Sequence, residues 1–515
     1  MILGDPRSPQ ANAGGRATLD DIFRRAAGRR PDAVALADPP NRKSFTEGGP
    51  LRLTYAEVDH FVSAIAVRLR RLGLAADSII GVQLPNTVEA VLTLLGVLRA
   101  GMIPALMPLL WRRADAIAAL TRVGAKVIVT TSRIGAVDHG HLAMHVAAEI
   151  FPVRYVCGFG AKLADGVIPL DDLFTERKLD PLPPVRREAN PAAHVALVTW
   201  ETTPSGVVPV ARNHIELIAG GLAVLLEGRL EQNAVVLGAC VMGSFAGLSL
   251  TVMPWLLTGG TLSLHHPFDP AVLSTQLSYD RCSAVVLPGP LVPRLLETGA
   301  LNHADLKSVI AVWRTPERLS VSPAWRHPNA GLVDMLAFGE TALFGARRGA
   351  GGKPAPILFG PVLAPCGAAG AVQVAELVRT DAGTVALRGP MVPRHPFPPG
   401  AERGTDPYFK ADPSGLVDTG YTCRVDRETR AMVVTGPPPG IVAVGGYRFG
   451  LTELQDLVSG AEASAVVAAL PDTLAGHRLA GSADDRAKAQ AALAALGVNP
   501  LIADAFRERR KPQAA

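Results

Sequence analysis

Residues 195–214 read VALVTWETTPSGVVPVARNH. An apolar strand, Val195 to Val198, runs into Thr199, Thr202, Thr203, Ser205 and Gly206, and an apolar helical pattern follows Arg212-Asn213-His214. A strand–loop–helix of this kind cradles phosphate with glycine amides, hydroxyls and one lysine. This loop has one glycine, two prolines (Pro204 and Pro209) and no lysine. Pro204 has no amide proton to donate, and Glu201 brings negative charge to the place where phosphate oxygens would lie. Two readings stand: Thr202, Thr203, Ser205 and Gly206 still hold a phosphate, or the segment is a structural turn.

The surroundings of this stretch are those of a large α/β protein. Upstream, LTYAEVDHFVSAIAVRLRRLG (53–73) has Thr54 as a helix N-cap and Gly73 as its stop, and DSIIGVQLPN (77–86) is an apolar strand. TVEAVLTLLGVLRAG (87–101), MIPALM (102–107), a helix from Asp115 to Val123 and AKVIVTT (125–131) continue the alternation, preceded by a strand at 32–38. Strand and helix alternating in this way predict a mostly parallel sheet covered on both faces. The pattern restarts at 195–199 and runs through a helix at 213–226 and strands at 234–239, 261–264, 283–287, 308–313 and 331–336, which predicts a second α/β subdomain. From about 356 the texture is β-rich, and from 436 an Ala-rich segment closes the chain.

Composition narrows the functional classes. The chain has 515 residues, 48% hydrophobic and 19% charged, too long for one ordinary core. The formal charge of +5 is spread thinly, and the basic runs 24–30 and 507–511 lie near the termini, so no nucleic-acid stripe is expected. Five widely spaced cysteines without a CxxC pair, and an N-terminus without an apolar targeting segment, predict a reduced, cytoplasmic protein. Between Glu231 and Asp269 there is no charged side chain, but glycines and a mid-run proline predict buried strands and helices rather than a membrane span.

The combination of LTYAEVDHFVSAIAVRLRRLG, DSIIGVQLPNTVEAVLTLLGVLRAG, GAKVIVTTS, GLSLTVMPWLLTGGTLSLHHPFDP, GTVALRGPMV, GLVDTG, GGYRFGLTELQ and AVVAALPDTLAGHRLAG resembles the adenylate-forming superfamily of acyl-CoA synthetases, aryl-CoA ligases and peptide-synthetase adenylation domains. The resemblance implies an acyl-CoA synthetase-like fold. A large N-terminal region (1–436) would hold two α/β subdomains and a β-barrel-like subdomain from about 356, followed by a small, shortened α+β C-terminal domain (437–515). It also implies a chemistry: a carboxylate attacks the α-phosphate of Mg-ATP, and the acyl-adenylate passes to the thiol of CoA or phosphopantetheine.

Set against the family's motifs, this chain departs at each charged position. The loop lysine falls on Val207 or Val208. The aromatic–His pair of the acyl pocket falls on Gly243 and Ser244, beside Phe245. The Tyr-Gly-x-Thr-Glu motif reads Phe338-Gly339-Glu340-Thr341-Ala342, so Phe338, Gly339 and Thr341 remain for the nucleotide, and Glu340 is the one carboxylate that could take over the lost metal ligand. The ribose aspartate is Tyr421, the following Gly-Arg is Gly436-Pro437, and neither Lys488 nor Lys511 stands in the context of the adenylating lysine. Gly446, Arg448 and Glu453 match the family's C-terminal scaffold.

Each charged phosphate or ribose contact supplies about 2–4 kcal/mol of transition-state stabilisation. Losing five that act together removes most of the ~10 kcal/mol such catalysis needs. Three readings follow: a degenerate ligase that binds an acyl group, an acyl-thioester or a partner protein; an active, divergent acid–CoA or acid–carrier-protein ligase; and a changed enzyme using the same clefts.

Overall fold

The computed structural model describes residues 15–185, 187, 189–366, 370–394 and 409–507. The expected loose N-terminus, except for its last residues, and the basic run after Arg507, with Lys511, lie outside the described residues.

The first α/β layer is a seven-stranded sheet. Its strands Ile79–Val82, Ile103–Leu106, Val127–Thr131 and Tyr155–Phe159 run parallel. The first three are buried along their whole length, which is why they read as continuous apolar runs rather than alternating ones. Helix Tyr55–Arg71 starts at Thr54, whose hydroxyl accepts from Glu57 N while the Glu57 carboxylate accepts from Thr54 N, a reciprocal capping box. Gly73 follows it with φ +71°.

Residues 195–214 correct the reading of a loop leading into a helix. Val195–Thr203 and Gly206–Asn213 form an antiparallel hairpin with Trp200 opposite Pro209, Thr202 opposite Val207 and Thr203 opposite Gly206. The helix begins only at His214, capped by Asn213. Gly206, at φ +113°, supplies the left-handed residue that the tight turn requires. The hairpin also joins the first sheet rather than opening the second: Val198 pairs parallel with Ala105.

The second sheet has eight strands, and it recruits the N-terminal strands Val34–Ala37 and Arg52–Thr54 to one edge. The two α/β halves are therefore interleaved rather than sequential. Its centre, Val235–Gly238, Thr261–Leu264, Ala284–Pro288, Ser308–Trp313 and Gly331–Phe338, is parallel. Residues 235–264 lie inside this layer, with helices Phe245–Leu250 and Val252–Thr258 packed between strands. Among the described residues no helix is long and apolar enough to cross a membrane. The β-rich region is a five-stranded antiparallel meander from Gly360 to Gly436. Residues 441–506 carry a four-stranded sheet and helices Leu451–Ala461, Arg486–Leu496 and Pro500–Ala503 around a core of their own.

Candidate functional site

The carboxyl ends of the parallel strands in both sheets converge on one cavity of about 530 Å³, the usual place for a ligand in open α/β sheets. Residues 106–109 reach it from the first sheet, 239–241, 288, 290–291, 312, 314–315, 337 and 339–340 from the second, 200–202 and Val207 from the hairpin, and 443 and 445–450 from the C-terminal sheet. Most of the wall is apolar. Trp111 and Trp200 stand side by side in it, ring centres 5.3 Å apart.

Glu201 sits at the centre of the polar wall. Its carboxylate accepts from Thr202 N (2.9 Å) and Glu340 N (2.6 Å) and forms an ion pair with Arg448, a residue of the C-terminal sheet. A Cβ at Gly339 would run into both the Glu201 carboxylate and the Arg448 guanidinium, and Gly339 has φ +54°, so only glycine lets this pair close. The hairpin tip leans on the same C-terminal residues. The Thr202 hydroxyl donates to Arg448 O (3.3 Å), and Gly206 lies against the carboxylate of Glu453.

The polar groups of the hairpin tip are largely committed to one another. The hairpin backbone between Thr202 and Val207 is engaged in strand pairing, Thr203 donates to Gly206 O (2.7 Å), and Ser205 N donates back to the Thr203 hydroxyl (3.2 Å). Val207 lines the cavity, and Lys488 lies on an outer helix with Nζ 2.5 Å from Glu462.

Of the other residues singled out from sequence, Thr202, Gly339, Glu340, Tyr421, Gly243 and Ser244 line the cavity. Thr203, Ser205 and Gly206 form the hairpin tip. Phe338 is buried inside the second sheet, stacked on Phe344 at 5.0 Å and edge-on to Tyr421 at 5.1 Å, so its ring does not face the cavity. Thr341 is buried in the turn after it, its amide bonded to Phe338 O. Phe245 points away from the cavity, its ring beneath the guanidinium of Arg212 at 3.6 Å. Glu340 is buried and accepts from Phe245 N (3.0 Å). Burial raises its pKa, with the neighbouring Arg212 working the other way. Among the described residues no three His, Cys, Asp or Glu side chains gather there to hold a metal.

Three contributors were not legible beforehand. Arg212, fully buried, donates to the carbonyls of Glu340 and Met391 and ties the hairpin to the second sheet and to the segment after the meander's third strand, Thr384–Arg388. Burial lowers its pKa to about 10 and raises that of neighbouring Glu216 to about 8, Arg212 opposing the latter. Arg314 lines the cavity and donates to Ser244 Oγ (2.9 Å). Tyr447 lines it too, and its hydroxyl accepts from Leu110 N (3.1 Å). For Arg314 a signal existed: an arginine directly after the buried strand 308–313 must emerge at a sheet's carboxyl end.

A two-layered parallel α/β scaffold with a meander and a cavity at the strand ends is the acyl-CoA synthetase-like architecture. A family model described as AMP-binding enzyme matches residues 23–345, and the chain belongs to that family. It is similar to a salicyl-AMP ligase / salicyl-S-ArCP synthetase of Mycobacterium tuberculosis, 26% identical over 485 residues, 90% of this chain and 80% of that protein. It is also similar to a 2-hydroxy-7-methoxy-5-methyl-1-naphthoate–CoA ligase of Streptomyces carzinostaticus, 27% identical over 281 residues, 53% of this chain and 48% of the relative. Among solved structures, an amide bond synthetase from Marinactinospora thermotolerans matches with a TM-score of 0.70 at 17% identity, covering 93% of this chain and 94% of that one. At that identity the likeness speaks to the fold alone.

Proposed function

We propose that this chain is a pseudoenzyme of the AMP-binding family: it binds a small acyl ligand in the strand-end cavity and has lost, or nearly lost, ATP-dependent adenylation. The observation that carries this reading is Glu201. A carboxylate paired with Arg448 and bonded by Glu340 N fills the place where nucleotide phosphate needs free amides and positive charge. The ribose and metal carboxylates are absent from their motif positions, and among the described residues no lysine lines the cavity. What is retained is a largely apolar cavity at the strand ends whose wall includes the acyl-pocket positions Gly243 and Ser244. The names of the relatives, a salicyl-AMP ligase and a naphthoate–CoA ligase, support a ring-bearing acid as the type of ligand. Division of the chain after Gly436 into large and small parts belongs to this reading.

The test is pyrophosphate exchange with a panel of carboxylic acids, together with a thermal-shift titration of Mg-ATP. The expected result is no acid-dependent exchange and nucleotide affinity of about a millimolar or weaker. Robust exchange would replace this reading with the other one, an active acid–CoA or acid–carrier-protein ligase, and would make Glu340, Thr202 and Thr203 the first residues to mutate.

A further inference from the structure

Residues 441–506 pack around a core of their own, built on Val444, Leu454, Val458, Leu479, Leu493 and Phe506, and the chain reaches them through Gly436-Pro437-Pro438-Pro439-Gly440. A unit with its own core and one covalent entry moves unless its surface is held. This one is held by three separate parts of the chain. The hairpin supplies Glu201, paired with Arg448, and the Thr202 hydroxyl, which donates to Arg448 O (3.3 Å). The segment leading into helix Arg113–Val123 supplies Leu110 N, which donates to the Tyr447 hydroxyl (3.1 Å), and Ala114 N, which donates to Gly497 O (2.8 Å). Arg318, just after strand Ser308–Trp313, donates to Asp472 O and Thr473 O. One glycine records how closely the parts meet. Gly450 has φ −74°, an angle any residue adopts, so its backbone does not call for glycine. A Cβ there would lie 2.7 Å from Thr203 O and 3.0 Å from Pro204 O, the backbone of the hairpin turn. Close approach of two backbones accounts for glycine at this position.

We infer that residues 441–506 are locked in this one orientation as a permanent wall of the cavity, with the Thr203-Pro204 turn seated on Gly450 as the lock and the Glu201, Leu110 and Arg318 contacts as its braces. Turning the unit away breaks all of these contacts together, because their C-terminal partners belong to one packed body. It also strips Glu201 and Arg448, both mostly buried, of each other. The linker gives little help, since three consecutive prolines fix φ and leave few paths for the chain. The consequence is that the cavity keeps one shape, with residues 443 and 445–450 in its wall whether or not a ligand is bound. This inference goes beyond the proposed function and does not depend on it.

The experiment is hydrogen–deuterium exchange of the full chain without ligand, read by mass spectrometry. Leu110 N and Ala114 N are the reporters. Amides in the first turn of a helix have no partner within it, so the protection of Ala114 depends on Gly497 O. In the parent protein the peptides covering 108–116 should be protected about 1,000-fold or more relative to an unfolded chain. Gly450→Val pushes the hairpin turn off its seat. It should speed exchange at 108–116 and 199–207 by about tenfold or more while strands 79–82 and 127–131 exchange as before. Arg318→Met removes a brace without adding bulk and should speed exchange at 108–116 by a smaller factor; it carries the test if Gly450→Val does not fold. Loop-like exchange at 108–116 in the parent would show that the unit already comes away and would overturn the inference. Two exchanging populations at those amides, or rates unchanged in every folded variant, would overturn it as well. Acid-dependent pyrophosphate exchange, which defeats the proposed function, leaves this result to stand or fall by itself, because no ligand is present.

Discussion

Replacing Glu201 by Gln tests the idea that an internal carboxylate has taken the phosphate position. The ion pair with Arg448 spans the hairpin and the C-terminal sheet, and the two side chains are only 6% and 15% exposed, so it is not a solvent-screened surface pair. Removing one partner of a fully buried pair costs about 3–5 kcal/mol, mostly because the other charge is left uncompensated. Two features reduce this. Arg448 keeps some solvent, and the amide oxygen of Gln can still accept from Thr202 N or Glu340 N. The expected loss is about 1.5–3 kcal/mol, read as a lower urea midpoint followed by tryptophan fluorescence. A cycle with Arg448→Met should give a coupling of about 1–3 kcal/mol. Coupling below about 0.5 kcal/mol would mean that the two charges do not depend on each other, and the reasoning from a filled anion position would fail.

Ser244→Trp should fill the cavity at the position Ser244 lines; ligand affinity should fall at least tenfold, with loss of the Ser244 Oγ cap on Gly247 N costing about 1 kcal/mol of stability, and unchanged affinity would place the site elsewhere. Arg212→Met should destabilise by about 3–5 kcal/mol, because it removes a buried guanidinium that the carboxylates of Glu216 and Glu340 face; a denaturation midpoint within error of the parent would contradict that role. Asp115 gives a pH dependence. Its desolvation, with Glu453 nearby and opposed by the Arg112 amide and guanidinium, pushes its pKa from 3.8 up to about 6. The folded state therefore holds this proton more tightly than the unfolded one, so the stability it contributes is present below pH 3.8 and is lost as pH rises through about 6. Asp115→Asn should flatten the stability profile between those values, and an unchanged slope would show that another group is responsible.

Local chemistry in the sequence was enough for every element whose stabilising partners are close along the chain. Thr54 and Glu57 form the cap that starts their helix, Gly73 follows at its end, and the apolar runs at 79–82, 127–131 and 308–313 are parallel strands because only burial on both faces favours such runs. The departures from the family's charged motifs were likewise visible as residue types. What those departures mean in space depended on contacts far along the chain. Residues 195–214 became a hairpin because Gly206 turns the chain back and the edge of strand 103–106 accepts a partner, neither of which a helical pattern after Asn213 reveals. Phe338 faces the core rather than the cavity because its strand continues two residues beyond the predicted end and pairs with 342–347. Glu201 finds Arg448 across 247 positions, and Arg314 is left with a hydroxyl rather than a carboxylate. A side chain's charge is a property of the sequence; whether that charge is matched inside the protein or remains for a ligand is settled only when distant segments pack together.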